Sequence, residues 1–355
     1  MLERVKEKVK KNQRITPEEA LALYDYNLLE IAPIAHEIRV KKHGKKSFFN
    51  INRHINPTNV CKDTCKFCAY SATRKNPNPY TLSIDEIVAI AKDAASKGAK
   101  ELHIVSAHNP NVGLHWYFDA FRAIKKELPN IHIKALTAAE VHFLATEYNL
   151  SYDEVLDMMI ESGVDSMPGG GAEIFDETIR EKICKGKVSS NEWLLIHQKW
   201  HEKGRQSNAT MLFGHIEKRE HRIDHMNRLR ELQDKTKGFN TFIPLVYQRE
   251  NNYLKVEKFL TANEILKTFA IARIFLDNFE HIKAYWATTT INLALVAQEF
   301  GCDDLDGTIQ KESIQSAAGA KSANGISQDE LVGLIKNSGF IPVERDSLYN
   351  ELKVY

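Results

Sequence analysis

The chain lacks the features that would commit it to a membrane, to nucleic acid or to a covalent scaffold. Among 355 residues the longest uninterrupted apolar runs are five long, 87–91 and 293–297, far below the roughly 20 that span a bilayer. The first residues, MLERVKEKVKKNQ, are charged throughout and have no apolar signal-peptide core. No membrane partner and a cytoplasmic location are expected. The 48 Lys and Arg balance 47 Asp and Glu, for a net charge of +1. That excludes the surplus of cations on which phosphate-backbone binding depends, so nucleic acid is not an expected partner. Glycine and proline number only 17 and 10, less than average usage gives, as in an ordered globular protein. Cysteines are few and odd in number, five, and three of them fall within eight residues, Cys61, Cys65 and Cys68. Disulfides do not explain that crowding, which points to a reducing compartment.

A dinucleotide fingerprint is also missing, since no G-x-G-x-x-G follows any strand candidate. What is present is a repeating local grammar. Thr16 with Glu19, Ser83 with Glu86, and Ser151 with Glu154 are capping boxes that open helices. Gly98, Gly163 and Gly204 stop helices ahead of short β-rich runs. Eight strands are predicted: Phe48 to Ile55, Leu102 to Val105, Ile131 to Leu136, Val164 to Met167, Ser207 to Phe213, Phe239 to Val246, Ile282 to Trp286 and Asp303 to Asp306. Eight strands alternating with helices over roughly 250 residues predict an α/β fold, a (β/α)8 TIM-type barrel. Residues 1–45 read as an N-terminal helical segment, 46–310 as the barrel, and 311–355 as a C-terminal helical appendage whose last long helix opens at Ser327.

The chemistry concentrates in Asn52 to Tyr70, NRHINPTNVCKDTCKFCAY. C-x3-C-x2-C follows the first barrel strand, and no fourth cysteine lies nearby, because Cys184 and Cys302 belong to other elements. Structural zinc takes four closed ligands. A 4Fe–4S cluster on three thiolates leaves one iron open to a substrate or cofactor. The competing reading is a zinc site completed by His54 or His103, or three cysteines that merely pack; the spacing and the position after strand one favour the cluster. His215, His221 and His225 near Glu217 could suggest a second metal site, but histidines four apart on so charged a helix read as a solvated face.

C-x3-C-x2-C with an aromatic, Phe67, before the last cysteine resembles the signature of the radical S-adenosylmethionine (SAM) superfamily. The resemblance implies that Cys61, Cys65 and Cys68 ligate a 4Fe–4S cluster and that SAM is cleaved to methionine and a 5′-deoxyadenosyl radical. It places SAM contacts at strand ends: Phe67 and Tyr70 beside the cluster, Ser106 and His108 after strand two, and Gly169, Gly170 and Glu173 in PGGGAE after strand four. The glycines usual in such a family after strand two are absent here.

GGGAEIF, NPTNVCKDTCKFCAY and DDLDGTIQKESIQSAAGA are similar to one branch, that of the futalosine-pathway enzymes of menaquinone synthesis and the deazaflavin-forming FO synthase. Within it, Arg53 to Asn59 resembles the aminofutalosine synthases. This implies a transferase in which the adenosyl radical adds to the enol ether of 3-(1-carboxyvinyloxy)benzoate and the carboxylate is lost. It also implies a reductant protein such as flavodoxin or ferredoxin. The alternatives are the dehypoxanthine futalosine cyclase or an FO-synthase-like enzyme, and, from another class, a zinc-stabilised binding module without catalysis. An aryl enol-ether with two carboxylates calls for cationic or hydrogen-bonding partners, for which Arg53, His54, His215, Arg249 and Thr308 are the candidates.

Overall fold

The computed structural model describes residues 1–73 and 75–355. Seven of the eight predicted strands form, the fourth survives only as bridges, and the ring closes. The first, β1, runs in two stretches, Lys46–Asn50 and Asn52–Ile55; β2 is Glu101–Ile104 and β3 His132–Ala135. The fourth, β4, is reduced to bridges at Ser166 and Met167. β5 is Ser207–Phe213, β6 Phe239–Val246, β7 His281–Ile282 and β8 Asp304–Gly307. Neighbours pair in parallel all the way round, from Asn52↔Glu101 between β1 and β2 to Lys283↔Asp304 and Phe48↔Asp304, which join β7 to β8 and β8 back to β1.

Three strands are shorter than predicted, β3 by one residue at each end, and β4 and β7 for visible reasons. Ahead of β4 the Asp165 carboxylate accepts from the Ile133 amide and from Lys125 Nζ, both at 2.8 Å, so a side chain takes a ladder position. β7 stops before Trp286, which instead opens the helical turn Trp286–Thr289. Its indole N–H donates to Gly307 O at 2.9 Å and ties that turn over the end of β8.

The capping boxes at Thr16, Ser83 and Ser151 form, with others at Thr137 and Ser189. Helix Leu28–His43 lies along helix Ala262–Phe275, and Lys267 Nζ donates to the carbonyls of Tyr24 and Tyr26 at 3.0 and 2.6 Å. The histidine-bearing helix Arg219–Thr236 is not a solvated face: Arg222, His225 and Arg230 are buried. His225 stacks on Phe175 with ring centroids 3.8 Å apart, and it gives its Nε2 to Thr210 O.

The C-terminal appendage is not wholly helical. Helix Gln328–Asn337 leads into strand β9, Ile341–Arg345, which pairs in parallel with Lys46–Phe49, and β10, Glu351–Val354, returns antiparallel to it. These strands extend the sheet at the N-terminal end of the barrel, beside the half of β1 that β2 does not cover. One hydrophobic core runs through all three segments, from Leu2 to Phe340.

Candidate active site

At the C-terminal end of the barrel the loops after β1, β2 and β4 surround a cavity of about 290 Å³ that descends between the strands. Its mouth carries Cys61, Cys65 and Cys68, its middle is walled by Val105, Leu212, Ile243, Leu245 and Tyr285, and its floor is polar: His54, His103, Lys134, Lys283 and Asp306. Catalytic groups of TIM barrels gather at this end because every strand delivers a loop there.

The cysteine loop is held by its backbone. Lys62 N–H donates to His108 O and Lys66 N–H to Ile183 O, both at 2.8 Å, and Cys68 Sγ accepts from Ser71 N–H at 3.4 Å. Asp63 bonds His108 Nδ1 at 3.0 Å, and the His108 ring stacks on Phe143. Tyr70 Oη reaches Thr58 O at 3.0 Å and also bonds the Tyr80 hydroxyl. Burial pushes the Cys61 and Cys65 thiols up, while Lys187 pulls Cys65 the other way.

Three thiols at the rim of an open cavity fit a cluster better than a single ion. Among the described residues the group whose donor atoms converge within 4.8 Å is His43, His281 and Asp303, at the opposite end of the barrel. There Arg273 already occupies Asp303. His54 and His103, the candidate fourth zinc ligands, lie on the cavity floor and stack on each other, centroids 4.6 Å apart. The mouth therefore presents three soft donors to the cavity, and Cys184, the other thiol near Cys65, is not part of its lining, a donor set that fits a cluster with one open iron.

The loop after β4 is built for close approach. A Cβ on Gly169 would sit 2.6 Å from Asn208 O, and one on Gly170 2.8 Å from the Thr137 methyl. Arg180, buried on helix Glu177–Ile183, donates to the carbonyls of Ala172 at 2.5 Å, Ile174 at 3.1 Å and Gly171 at 3.2 Å, and also to Val188. Glu173 has φ +49° and is bound by Lys187 Nζ at 2.8 Å. Lys187 is held well above the ordinary ammonium value despite its burial, by Glu173 and the neighbouring thiols. Ser106 N–H donates to Glu140 at 2.8 Å, and that carboxylate also caps Thr137.

Thus Cys61, Cys65, Cys68, Phe67, Tyr70, Ser106, His108, Gly169, Gly170, Glu173 and His54 all line one cavity. Four sequence candidates do not. Arg53 alternates with His54 on β1 and so points outward, toward Asp93 on helix Ile84–Ser96. His215 is buried behind the wall, bonded to Leu212 O at 3.1 Å and 3.2 Å from Glu217. Arg249 folds over Phe259 and donates to the carbonyls of Val256 and Lys258. Thr308 ties β8 to β1 by exchanging hydrogen bonds with the Asn52 backbone at 3.1 and 3.2 Å. Lys134, Lys187, Lys283 and Asp306 escaped the sequence reading. For Lys134, Lys283 and Asp306 the signal was available, since each sits on or directly follows a strand at a position where period-2 alternation faces the barrel interior; Lys187 lies in the turn after helix Glu177–Ile183, where no such period applies.

Comparison with known proteins agrees with this geometry. Residues 55–229 match the radical SAM superfamily and residues 236–355 the CofH/MqnC C-terminal region. The chain is 43% identical to the aminodeoxyfutalosine synthase of Thermus thermophilus, covering 99% of this chain and 96% of that one. It belongs to the radical SAM superfamily. A Streptomyces coelicolor aminodeoxyfutalosine synthase is 39% identical over 99% of this chain and 94% of its own length. The cyclic dehypoxanthine futalosine synthase of the same organism is 37% identical over 96% and 86%. Crystalline methylornithine synthase shares the fold, with a TM-score of 0.77 at 16% identity over 95% of this chain and 97% of that one. Proteins of the superfamily use a 4Fe–4S cluster and SAM, and the fit of the three-thiol mouth accords with both. No helix of the described residues is long and apolar enough to cross a membrane.

Proposed function

We propose that the protein is an aminodeoxyfutalosine synthase, a transferase of menaquinone synthesis that joins the adenosyl group of SAM to 3-(1-carboxyvinyloxy)benzoate. The observation that carries this reading is full-length similarity to two aminodeoxyfutalosine synthases, at 43% and 39% identity, over a cavity with three free thiols at its mouth. When bound, the cluster supplies one electron that cleaves SAM to methionine and a 5′-deoxyadenosyl radical. Cys61, Cys65 and Cys68 would hold it. The Gly169–Gly170 backbone and Glu173, fixed by Lys187, would take SAM, with Ser106 and His108 opposite.

The adenosyl carbon would add to the enol-ether CH2, the aryl group would pass from oxygen to carbon, and the carboxylate would leave as CO2, giving up one electron that offsets the one spent in cleaving SAM. Charges balance without a proton: a dianion and a sulfonium give neutral methionine, CO2 and a monoanionic ketone. The residues here therefore need only orient the reactants and exclude water, which Val105, Leu212, Ile243 and Leu245 do with apolar walls. A flavodoxin or ferredoxin in the cytoplasm would serve as reductant.

Similarity at 37% to a cyclic dehypoxanthine futalosine synthase supplies the rival reading. Isotopic label separates the two. With SAM labelled in its adenosyl carbons, anaerobic turnover of the enol ether under dithionite should place one labelled adenosyl in each aryl nucleoside, with little free 5′-deoxyadenosine. Stoichiometric 5′-deoxyadenosine and an unlabelled product would overturn the proposal.

A further inference from the structure

The proposed substrate carries two carboxylates, one on the reacting enol ether and one on the ring, and the floor of the cavity gathers His54, His103, Lys134, Lys283 and Asp306, while Asn208, Thr210 and Glu312 add polar groups elsewhere on its lining. The enol ether must face the mouth, where the thiols and the SAM-contacting loops lie. The aryl ring then falls among Val105, Leu212, Ile243, Leu245 and Tyr285, and its meta carboxylate points at the floor.

On the floor, His54 of β1 and His103 of β2 stand at one register, with Lys134 of β3 paired to His103 in the next ladder. Lys134 is bonded to Glu101 at 2.6 Å, and Lys283 to Asp306. Each ammonium is thus matched by a carboxylate, and the two pairs leave no net positive charge. The histidines differ. Neither imidazole has a hydrogen-bond partner among the described residues, and the nearest acid, Asp306, is 4.0 Å from His54 Nε2. Both rings line the cavity. Burial holds both low, His103 to about 3, so each is a neutral ring with one N–H to give.

We infer that the stacked His54–His103 pair, with the Lys134 and Lys283 ammonium groups behind it, is the seat of the substrate's ring carboxylate and the determinant that selects an aryl acid. Two imidazole donors without a protein partner, facing a cavity with apolar walls, suit a planar carboxylate with two oxygens, and such donors penalise a ligand that lacks one. The inference rests on the proposed function and extends it to a specificity site.

The test uses cluster-loaded protein with SAM, handled anaerobically, and calorimetric dissociation constants for two probes: 3-(1-carboxyvinyloxy)benzoate and 2-phenoxyacrylate, which lacks the ring carboxylate. The unmodified protein should prefer the first by about thirtyfold. His54→Leu and His103→Leu should each reduce that preference to a few-fold while binding 2-phenoxyacrylate about as well as before, a pattern that general unfolding would not give. His103→Gln, which keeps one N–H donor, should recover part of the preference. An undiminished preference in both leucine variants, with the enol ether still consumed, would overturn this inference and leave the proposed function standing. Binding of neither probe by the unmodified protein would overturn both.

Discussion

Cys61, Cys65 and Cys68 share a loop but not an environment. Cys61 lies against the backbone of the β2 loop, Cys65 faces Lys187 and Cys184, and Cys68 accepts an amide from Ser71. The sequence places Cys184 in a distant element, yet the Lys66–Ile183 hydrogen bond sets it beside Cys65. Proximity does not make it a ligand, because Cys184 is buried at the end of its helix and lines no part of the cavity. Cys61→Ala, Cys65→Ala and Cys68→Ala should therefore each abolish cluster assembly and SAM cleavage, whereas Cys184→Ala and Cys302→Ala should spare both. Iron and sulfide analysis checks it: about four irons per chain retained in the Cys65 variant would refute the ligand assignment.

The element that shapes the site most is the turn after β4, and its stiffness comes from outside itself. Thr210 Oγ1 donates to Gly169 O at 2.5 Å and the Trp193 indole to Gly170 O at 3.1 Å, while Arg180 gathers the carbonyls that follow. Gly169→Ala would drive a methyl into Asn208 O and the Thr210 side chain, so β5 must shift. The expected cost is about 1–3 kcal/mol of stability, with SAM affinity reduced at least about tenfold if a shift of this kind costs 1.4 kcal/mol or more. Gly333→Ala is the control: it lies within helix Gln328–Asn337 with nothing within 4 Å, and should raise stability by about 0.5–1 kcal/mol. Thermal melts and calorimetry of SAM binding measure both. The three glycines and the acid were legible in the sequence because close approach demands a missing side chain. Arg180 was not, since a lone arginine on a helix reads as solvated until the loop carbonyls are seen around it. Arg53 and His54 show the same limit from the other side: both are polar and adjacent, and only the strand's pleat decides which one faces the cavity.

Across the whole molecule, each βα unit is announced by residues near one another in the chain, by a cap, an apolar stripe and a stop, and so the barrel could be counted from sequence. The extension of its sheet at the N-terminal end depends instead on pairings some 300 residues apart, Lys46↔Ile341 through Phe49↔Glu344, for which no local pattern exists. Fully buried charges fix that end. Arg345 Nε, on β9, donates to Asp304 on β8 at 2.5 Å, and Ser347 shares Glu101 with Lys134. Asp304 also accepts the Asp306 amide at 2.6 Å, which sets the backbone just before the floor residue Asp306. Replacing Arg345 with methionine would leave the Asp304 carboxylate buried with only Lys283, 3.9 Å away, as a cation. Loss of one partner from a buried pair costs about 3–5 kcal/mol, much of it the stranded charge. Arg345→Met should therefore lower the denaturant midpoint strongly. The double variant Arg345→Met/Asp304→Asn, which removes the charge but keeps a carbonyl oxygen for the Asp306 amide, should recover a good part of the loss. If the double variant proved no more stable than the single one, the cost would lie in the packing of β9 against β1 and not in the uncompensated carboxylate.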